Sequence, residues 1–184
     1  MKYFAGIGSR DCPDWVVDVI DILSKVFVKE GLILRGGGAT GSDDAFEMSY
    51  IKYGGEMEIY LPFEYFYGRS ADGKTYLHLE HPGAYRIAKE FHPVWDKLLP
   101  NVKDIMARNS HQVLGKDLGT PSDFICCYTK NGKEHGGTGQ ALRIARHFNI
   151  PILNIGCYNG YEEAVIGILN QYKELRGKNE ERRT

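Results

Sequence analysis

The sequence has no excess of either charge, no paired cysteines, no long apolar run, no internal repeat and no low-complexity segment, and each absence removes a class of function. Lysines plus arginines number 23 against 24 aspartates plus glutamates in 184 residues, a formal charge of −1. No global positive field exists to hold nucleic acid non-specifically or to dock on an anionic membrane, so any such contact has to be local. Cys12, Cys126, Cys127 and Cys157 form neither a C-x-x-C pair nor zinc spacing. Adjacent Cys126 and Cys127 point to opposite faces of a strand, so free thiols and no metal site are expected. Of the six histidines only His78 and His81 stand at helical spacing, in a segment of irregular pattern. No apolar stretch approaches membrane-spanning length, and Met1 to Gly6 carries no leader pattern. A cytoplasmic protein of one domain, without a membrane partner, is expected.

What the chain does have is glycine at turns. In Leu32-Ile33-Leu34-Arg35-Gly36-Gly37-Gly38-Ala39-Thr40-Gly41-Ser42, three apolar β-formers lead into four glycines within six positions. Asp43, Asp44 and Glu47 then open a helical segment. Glycine lets backbone N–H groups approach a ligand closely, and a new helix aims its unpaired donors at the same place. A phosphate-like anion is the expected guest. Gly36, Gly38 and Gly41 fit G-x-G-x-x-G, but a Walker loop needs lysine where Ser42 stands, so this is not an ATPase loop.

Strand and helix patterns alternate along the chain. Tyr3 to Ile7 is apolar without alternation, as in a buried parallel strand, and is followed by a helix N-capped by Asp11 with Pro13 in its first turn. Leu32 to Arg35, Met57 to Leu61, Asp123 to Tyr128 and Pro151 to Ile155 read as further strands. Ser42 to Tyr53, Thr138 to Phe148 and Tyr161 to Leu175 read as helices. Residues 62 to about 115 lose periodicity and read as an insertion ending in a helix that carries Val102, Ile105, Met106 and Val113. The expectation is an α/β, Rossmann-like, doubly wound and mainly parallel five-stranded sheet over residues 1–176, with a charged tail at 177–184.

In such a sheet the ligand crevice lies at the carboxyl ends of the strands, where the strand order reverses. The ligand-binding candidates are Gly8, Ser9, Arg10, Gly36, Gly37, Gly38, Ala39, Thr40, Gly41, Ser42, Asp43, Arg108, Asn109, Gly136, Gly137, Thr138 and Gly139. Arg10 suits a bidentate phosphate clamp, or else pairs with Asp11 or Asp14. Gly136 to Gly139 supply a second helix N-terminus. Asp43, Asp44 and Glu47 are helix-capping acids, or else meet a ribose; a carboxylate there also suits an oxocarbenium ion, which makes them the catalytic candidates. Tyr60, Tyr65, Phe66, Tyr67 and Tyr128 offer stacking surfaces for a base.

Taken in order, Gly6-Ile7-Gly8-Ser9-Arg10, Gly36 to Asp43, Ala107-Arg108-Asn109-Ser110-His111-Gln112-Val113-Leu114-Gly115, Ser122-Asp123-Phe124 and Gly136-Gly137-Thr138-Gly139-Gln140-Ala141 resemble the SLOG superfamily. More closely, they resemble the small phage-type proteins related to the Rossmann-like domain of the DNA-processing protein DprA. That resemblance implies a nucleotide-binding Rossmann-like fold, and host cytoplasm if the chain is phage-encoded. Its branches load a recombinase on single-stranded DNA, sense signals such as cyclic ADP-ribose, or hydrolyse cytokinin-type nucleotides as the LOG branch does. The LOG motif Gly-Gly-x-Gly-Thr-x-x-Glu, aligned on Gly136, puts Gln140 at the threonine and Arg143 at the glutamate.

The function expected is binding of a small nucleotide or nucleotide-derived signal, of the ADP-ribose or cyclic nucleotide type, by a sensor or sequestering protein without cofactor and more binder than enzyme. The enzymatic alternative is a nucleotide N-glycosidase of LOG type. A further alternative is DprA-like binding of single-stranded DNA through Arg10, Arg35, Arg108 and Arg143. A homo-oligomer is expected from the aromatic surface of the insertion.

Overall fold

The computed structural model describes residues 1–181. Six strands form one sheet: β1 (Tyr3–Gly8), β2 (Ile33–Gly36), β3 (Met57–Leu61), β4 (Tyr76–His78), β5 (Phe124–Tyr128) and β6 (Ile152–Asn154). Their order is β4-β3-β2-β1-β5-β6 and every pairing is parallel. The helices are α1 (Asp14–Lys29), α2 (Ser42–Tyr53), α3 (Pro82–Glu90), α4 (Pro100–Leu114), α5 (Gly136–His147) and α6 (Tyr161–Glu181). The architecture is the expected Rossmann-like α/β one, with six strands rather than five. The sixth is β4, inside the insertion. Three residues are too few to show a period; the strand exists because Asp72 Oδ1 accepts the amides of Lys74, Thr75 and Tyr76 at 2.7–2.8 Å and turns the chain back beside β3.

The alternation of the pleat divides the apolar residues between two layers. Phe4, Leu34, Phe124 and Cys126 face α1, α2 and α6. Ala5, Ile7, Ile125 and Cys127 face α4 and α5, and α3 packs on the outer side of α4. The first layer centres on Phe4, stacked on Phe124 at 5.4 Å and edge-on to Phe27 at 4.9 Å. Gly6 makes room for it: a Cβ there would lie 2.6 Å from Leu34 Cδ1 and 2.7 Å from Phe46 Cγ.

Three local expectations are corrected. Pro13, not Asp11, occupies the N-cap of α1, and no side chain caps that end. The insertion holds an additional helix, α3, started by Pro82 behind the N-cap His81, whose Nδ1 accepts the Gly83 amide at 3.0 Å. Residues 177–181 of the expected charged tail belong to α6, while 182–184 lie outside the described residues.

Candidate functional site

Strand order reverses between β1 and β5, because the chain proceeds outward from β1 to β4 and then returns to the other side of β1. The loop leaving β1 is fixed there by its own chain. Gly8 donates its amide to Asp43 Oδ1 at 3.1 Å and accepts from Thr138 Oγ1 at 3.0 Å. Ser9 donates its amide to the Tyr128 carbonyl at 2.9 Å, and its carbonyl accepts from both the amide and the hydroxyl of Ser42 at 3.0 Å. Every one of these partners belongs to the start of a helix or the end of a strand, so the loop is pinned by regular structure on several sides.

Above it lies a crevice of about 430 Å³, lined by this loop, Ala39 and Asp43, one side of α4 and the start of α5. The last turns of α4, from Met106 to Leu114, are buried on all sides although they carry Arg108, Asn109, Ser110, His111 and Gln112. A polar helix segment buried all round requires partners within the protein. Arg108 Nη1 and Gln112 Nε2 both donate to Asp43 Oδ2 at 3.4 Å. Asn109 Nδ2 donates to the Gly137 carbonyl at 3.1 Å and to Gln140 Oε1 at 3.0 Å. Asn109 thereby ties α4 to the first turn of α5.

The electrostatics favour an anion. Burial pushes the Asp43 carboxyl up from its ordinary value, opposed by Arg108 and the Gly8 amide. Burial also lowers Arg108, though a guanidinium stays charged at any ordinary pH. Arg108 and Asp43 therefore offset each other, and Arg10 supplies the surplus positive charge. Its side chain is exposed and makes no hydrogen bond or ion pair among the described residues. The first amides of α5 have no partner inside their helix and lie at the crevice with Gly136, Gly137 and Thr138, at the positive end of the helix dipole.

The structure brings Gly8, Ser9, Arg10, Ala39, Asp43, Arg108, Asn109, Gly136, Gly137 and Thr138 together around the crevice. The rest of the glycine loop is not there. Gly36, Gly37 and Gly38 are buried under the protein's own side chains: an added Cβ would meet Ile59 at Gly36, the Arg108 guanidinium at Gly37, and Arg69 Cδ at 2.9 Å at Gly38. Gly41, at φ +83°, lies 2.6 Å (as a would-be Cβ) from Arg10 Cα, Ser42 is consumed by Ser9, and Gly139 packs on Glu134. Thr40 is exposed without lining the crevice. Gly37 and Gly38 make room for arginine side chains, Gly36 for Ile59, and Gly41 and Gly139 for neighbouring backbone.

Asp44 and Glu47, read as helix-capping acids or as partners of a ribose, turn toward the insertion. Arg69 Nε donates to both Glu47 oxygens at 2.9 Å and its Nη2 to Asp44 at 2.6 Å, with the Tyr76 hydroxyl adding 2.8 Å to Glu47. Two of the four arginines expected in a nucleic-acid groove are also structural. Arg35 is buried on Glu58 at 3.0 Å and the Thr120 carbonyl, and Arg143 donates to the Phe91 carbonyl. Tyr60 is buried and donates to Glu58, Phe66 packs 5.7 Å from the Arg108 guanidinium, and Tyr65 and Tyr67 remain exposed.

Reading the sequence missed Ile7, Ile105, Met106, Gln112, His135 and Ala141 as crevice residues. A signal existed for some of them. Ile105 and Gln112 stand three and four positions from Arg108, so a helix that aims Arg108 at the crevice aims them too. A wider depression of about 890 Å³ between α1 and α2 is lined by Val17, Ile22 and Met48 with Asp18, Asp21 and Asp44. Lys52 also lines it and pairs with Asp21 at 2.9 Å, and Asp44 is bound by Arg69.

No described protein family and no curated protein matches the chain. Solved structures do. DNA processing protein A from Helicobacter pylori, described for its single-stranded DNA binding mode, is similar with a TM-score of 0.57 at 15% identity, over 94% of this chain and 81% of that one. The Moco carrier protein of Chlamydomonas rheinhardtii is similar with a TM-score of 0.56 at 13% identity, over 96% of this chain and 99% of that one. DprA from Streptococcus pneumoniae gives a TM-score of 0.52 at 14% identity, over 94% of this chain and 56% of that one. At these identities the likeness is one of fold, and it makes this chain a Rossmann-like α/β protein built on the plan that DNA processing protein A and the Moco carrier protein share.

Proposed function

We propose that the crevice binds a phosphate-bearing small molecule of nucleotide size and that the protein acts as a sensor or sequestering protein for it. The carrying observation is convergence: the open start of α5, the exposed Arg10 and the Asp43-bound Arg108 all meet one crevice of about 430 Å³. That volume lies in the range of small-molecule sites. Ile7, Ile105 and Met106 offer an apolar wall for a base, and Asn109 and Gln112 offer polar groups beside it. A binding role is favoured over hydrolysis because Asp43, the carboxylate on the crevice wall, is already committed to Gly8, Arg108 and Gln112. Single-stranded DNA is the second reading, favoured by the fold neighbour from Helicobacter pylori and by the exposed Tyr65 and Tyr67.

The test is to incubate the protein with nucleoside monophosphates, NAD, ADP-ribose and cyclic nucleotides, remove unbound material, denature, and identify what is released by mass spectrometry. Recovery of one intact nucleotide is expected, with Arg10→Ala weakening it about 10- to 100-fold, the worth of one charge-assisted hydrogen bond. Free base and ribose phosphate would replace this reading with the glycosidase one. Retention of none, with oligonucleotide binding that falls steeply with salt, would replace it with the DNA one.

A further inference from the structure

Two buried polar atoms behind the crevice, Arg108 Nε and His111 Nε2, have no hydrogen-bond partner among the described residues. They stand three residues apart on α4, which puts their side chains on neighbouring sites of one helix face. Their chemistry is complementary. Arg108 Nε carries a hydrogen and only donates. His111 Nδ1 lies 3.0 Å from the Gly115 carbonyl, so that nitrogen holds the proton and Nε2 is left as an acceptor. Both side chains line the same small cavity, together with Tyr60, Leu77, Tyr85 and Asp104. Its volume of about 10 Å³ is the room one water molecule takes, and a water stays buried when it finds two or more polar partners.

We infer that a single water in this cavity bridges Arg108 Nε to His111 Nε2, and that through it His111 is a positioning residue for the Arg108 guanidinium at the crevice. The inference rests on the binding role proposed for that crevice. Arg108 Nη1 reaches Asp43 at the long distance of 3.4 Å; a bond from the opposite edge, at Nε, adds a second hydrogen bond that fixes the plane of the guanidinium. A water-mediated bond serves nearly as well as a direct one.

The link is sensitive to acid. Protonating His111 removes the acceptor and sets a second cation beside Arg108. Burial, reinforced by His81 and opposed by the Gly115 carbonyl, holds His111 below its ordinary value. The groups facing it are His81 at 6.0 Å from the start of α3, Tyr60 of β3 stacked at 5.6 Å and tied to Glu58, and Arg108 and Asp104 of α4. Tyr85 of α3 donates to Asp104, and Arg35 of β2 lies against Gly115.

Two substitutions separate this role from simple packing. His111→Asn keeps an amide donor for Gly115 and removes the acceptor; His111→Gln places an amide oxygen near the lost Nε2. The readouts are the Arg108 Nε–H resonance in ¹⁵N-resolved spectra across pH and the affinity for AMP by calorimetry. In the unaltered protein the resonance is expected to move as His111 titrates. His111→Asn is expected to shift it, abolish that titration and weaken AMP about tenfold, with His111→Gln restoring affinity and leaving it flat with pH. An Arg108 resonance indifferent to pH, or Gln no better than Asn, overturns the inference. If His111→Asn does not fold, the titration of the unaltered protein decides alone. If AMP does not bind the unaltered protein, AMP is excluded as the ligand while the resonance still decides the water bridge.

Discussion

Gly37→Ala tests the way this crevice is built more sharply than any substitution of a charged residue. The backbone of Gly37 is outside the left-handed region, so alanine costs nothing in φ. The added methyl would overlap Arg108 Nη1 and stand 2.7 Å from Asp43 Oδ2, so the whole effect passes through that ion pair. Expelling one partner of a buried pair costs about 3–5 kcal/mol. Asp43 keeps the Gly8 amide and Gln112, which places the expected loss lower, at about 2–3 kcal/mol. In urea this is a fall in midpoint of roughly 1 M. The control is the same substitution in Arg108→Met, where the space is free and the cost drops below about 0.5 kcal/mol, giving a coupling of about 2 kcal/mol in the double-mutant cycle. Equal costs in both backgrounds would refute the placement of the guanidinium on Gly37, and with it the geometry of the proposed anion site.

Two further expectations concern stability. Arg69→Leu strands Glu47, which is 2% exposed, with only the Tyr76 hydroxyl, and is expected to lower stability by about 3 kcal/mol and to raise hydrogen exchange across 62–78; an unchanged urea midpoint would sink the idea that Arg69 fastens the insertion to α2. Burial depresses His111 and His92 below the 6.5 they have in the unfolded chain, so the unfolded state binds more protons and their contribution, full above that value, is lost as pH falls through it. Urea midpoints should fall between about pH 7.5 and about pH 5, less so in His111→Gln; a loss equal in both proteins would assign the titration to other groups.

Much of the fold was legible in the sequence because buried parallel strands and amphipathic helices impose their own periods. α2 and β3 were read with the bounds found, and Gly54 stops α2 in the left-handed conformation its lack of Cβ allows. The insertion was not legible. Its strand β4 depends on a turn made by Asp72, and α3 is a nine-residue helix with glycine at its second position, so neither carries a period long enough to see. At the crevice, Arg10 was legible as a loop residue after β1, and Gly136 to Thr138 as the start of a helix. The roles of Asp44, Glu47, Gly37 and Gly38 were not, since each is decided by an arginine that arrives from far along the chain. A motif rich in glycine reports close approach, but not what approaches.

The position of β5 has a consequence for how the chain is made. The central sheet partner of β1 arrives late: the amide of Tyr3 meets Asp123 across a separation of 120 residues. During synthesis, β1 to β4 can assemble on one side while the other edge of β1 waits on the order of ten seconds for its neighbour to emerge. An open strand edge is a template for wrong pairing. β1 enters that interval with Gly6 and Gly8 in its second half, residues that weaken a strand standing alone and so make its open edge a poorer template.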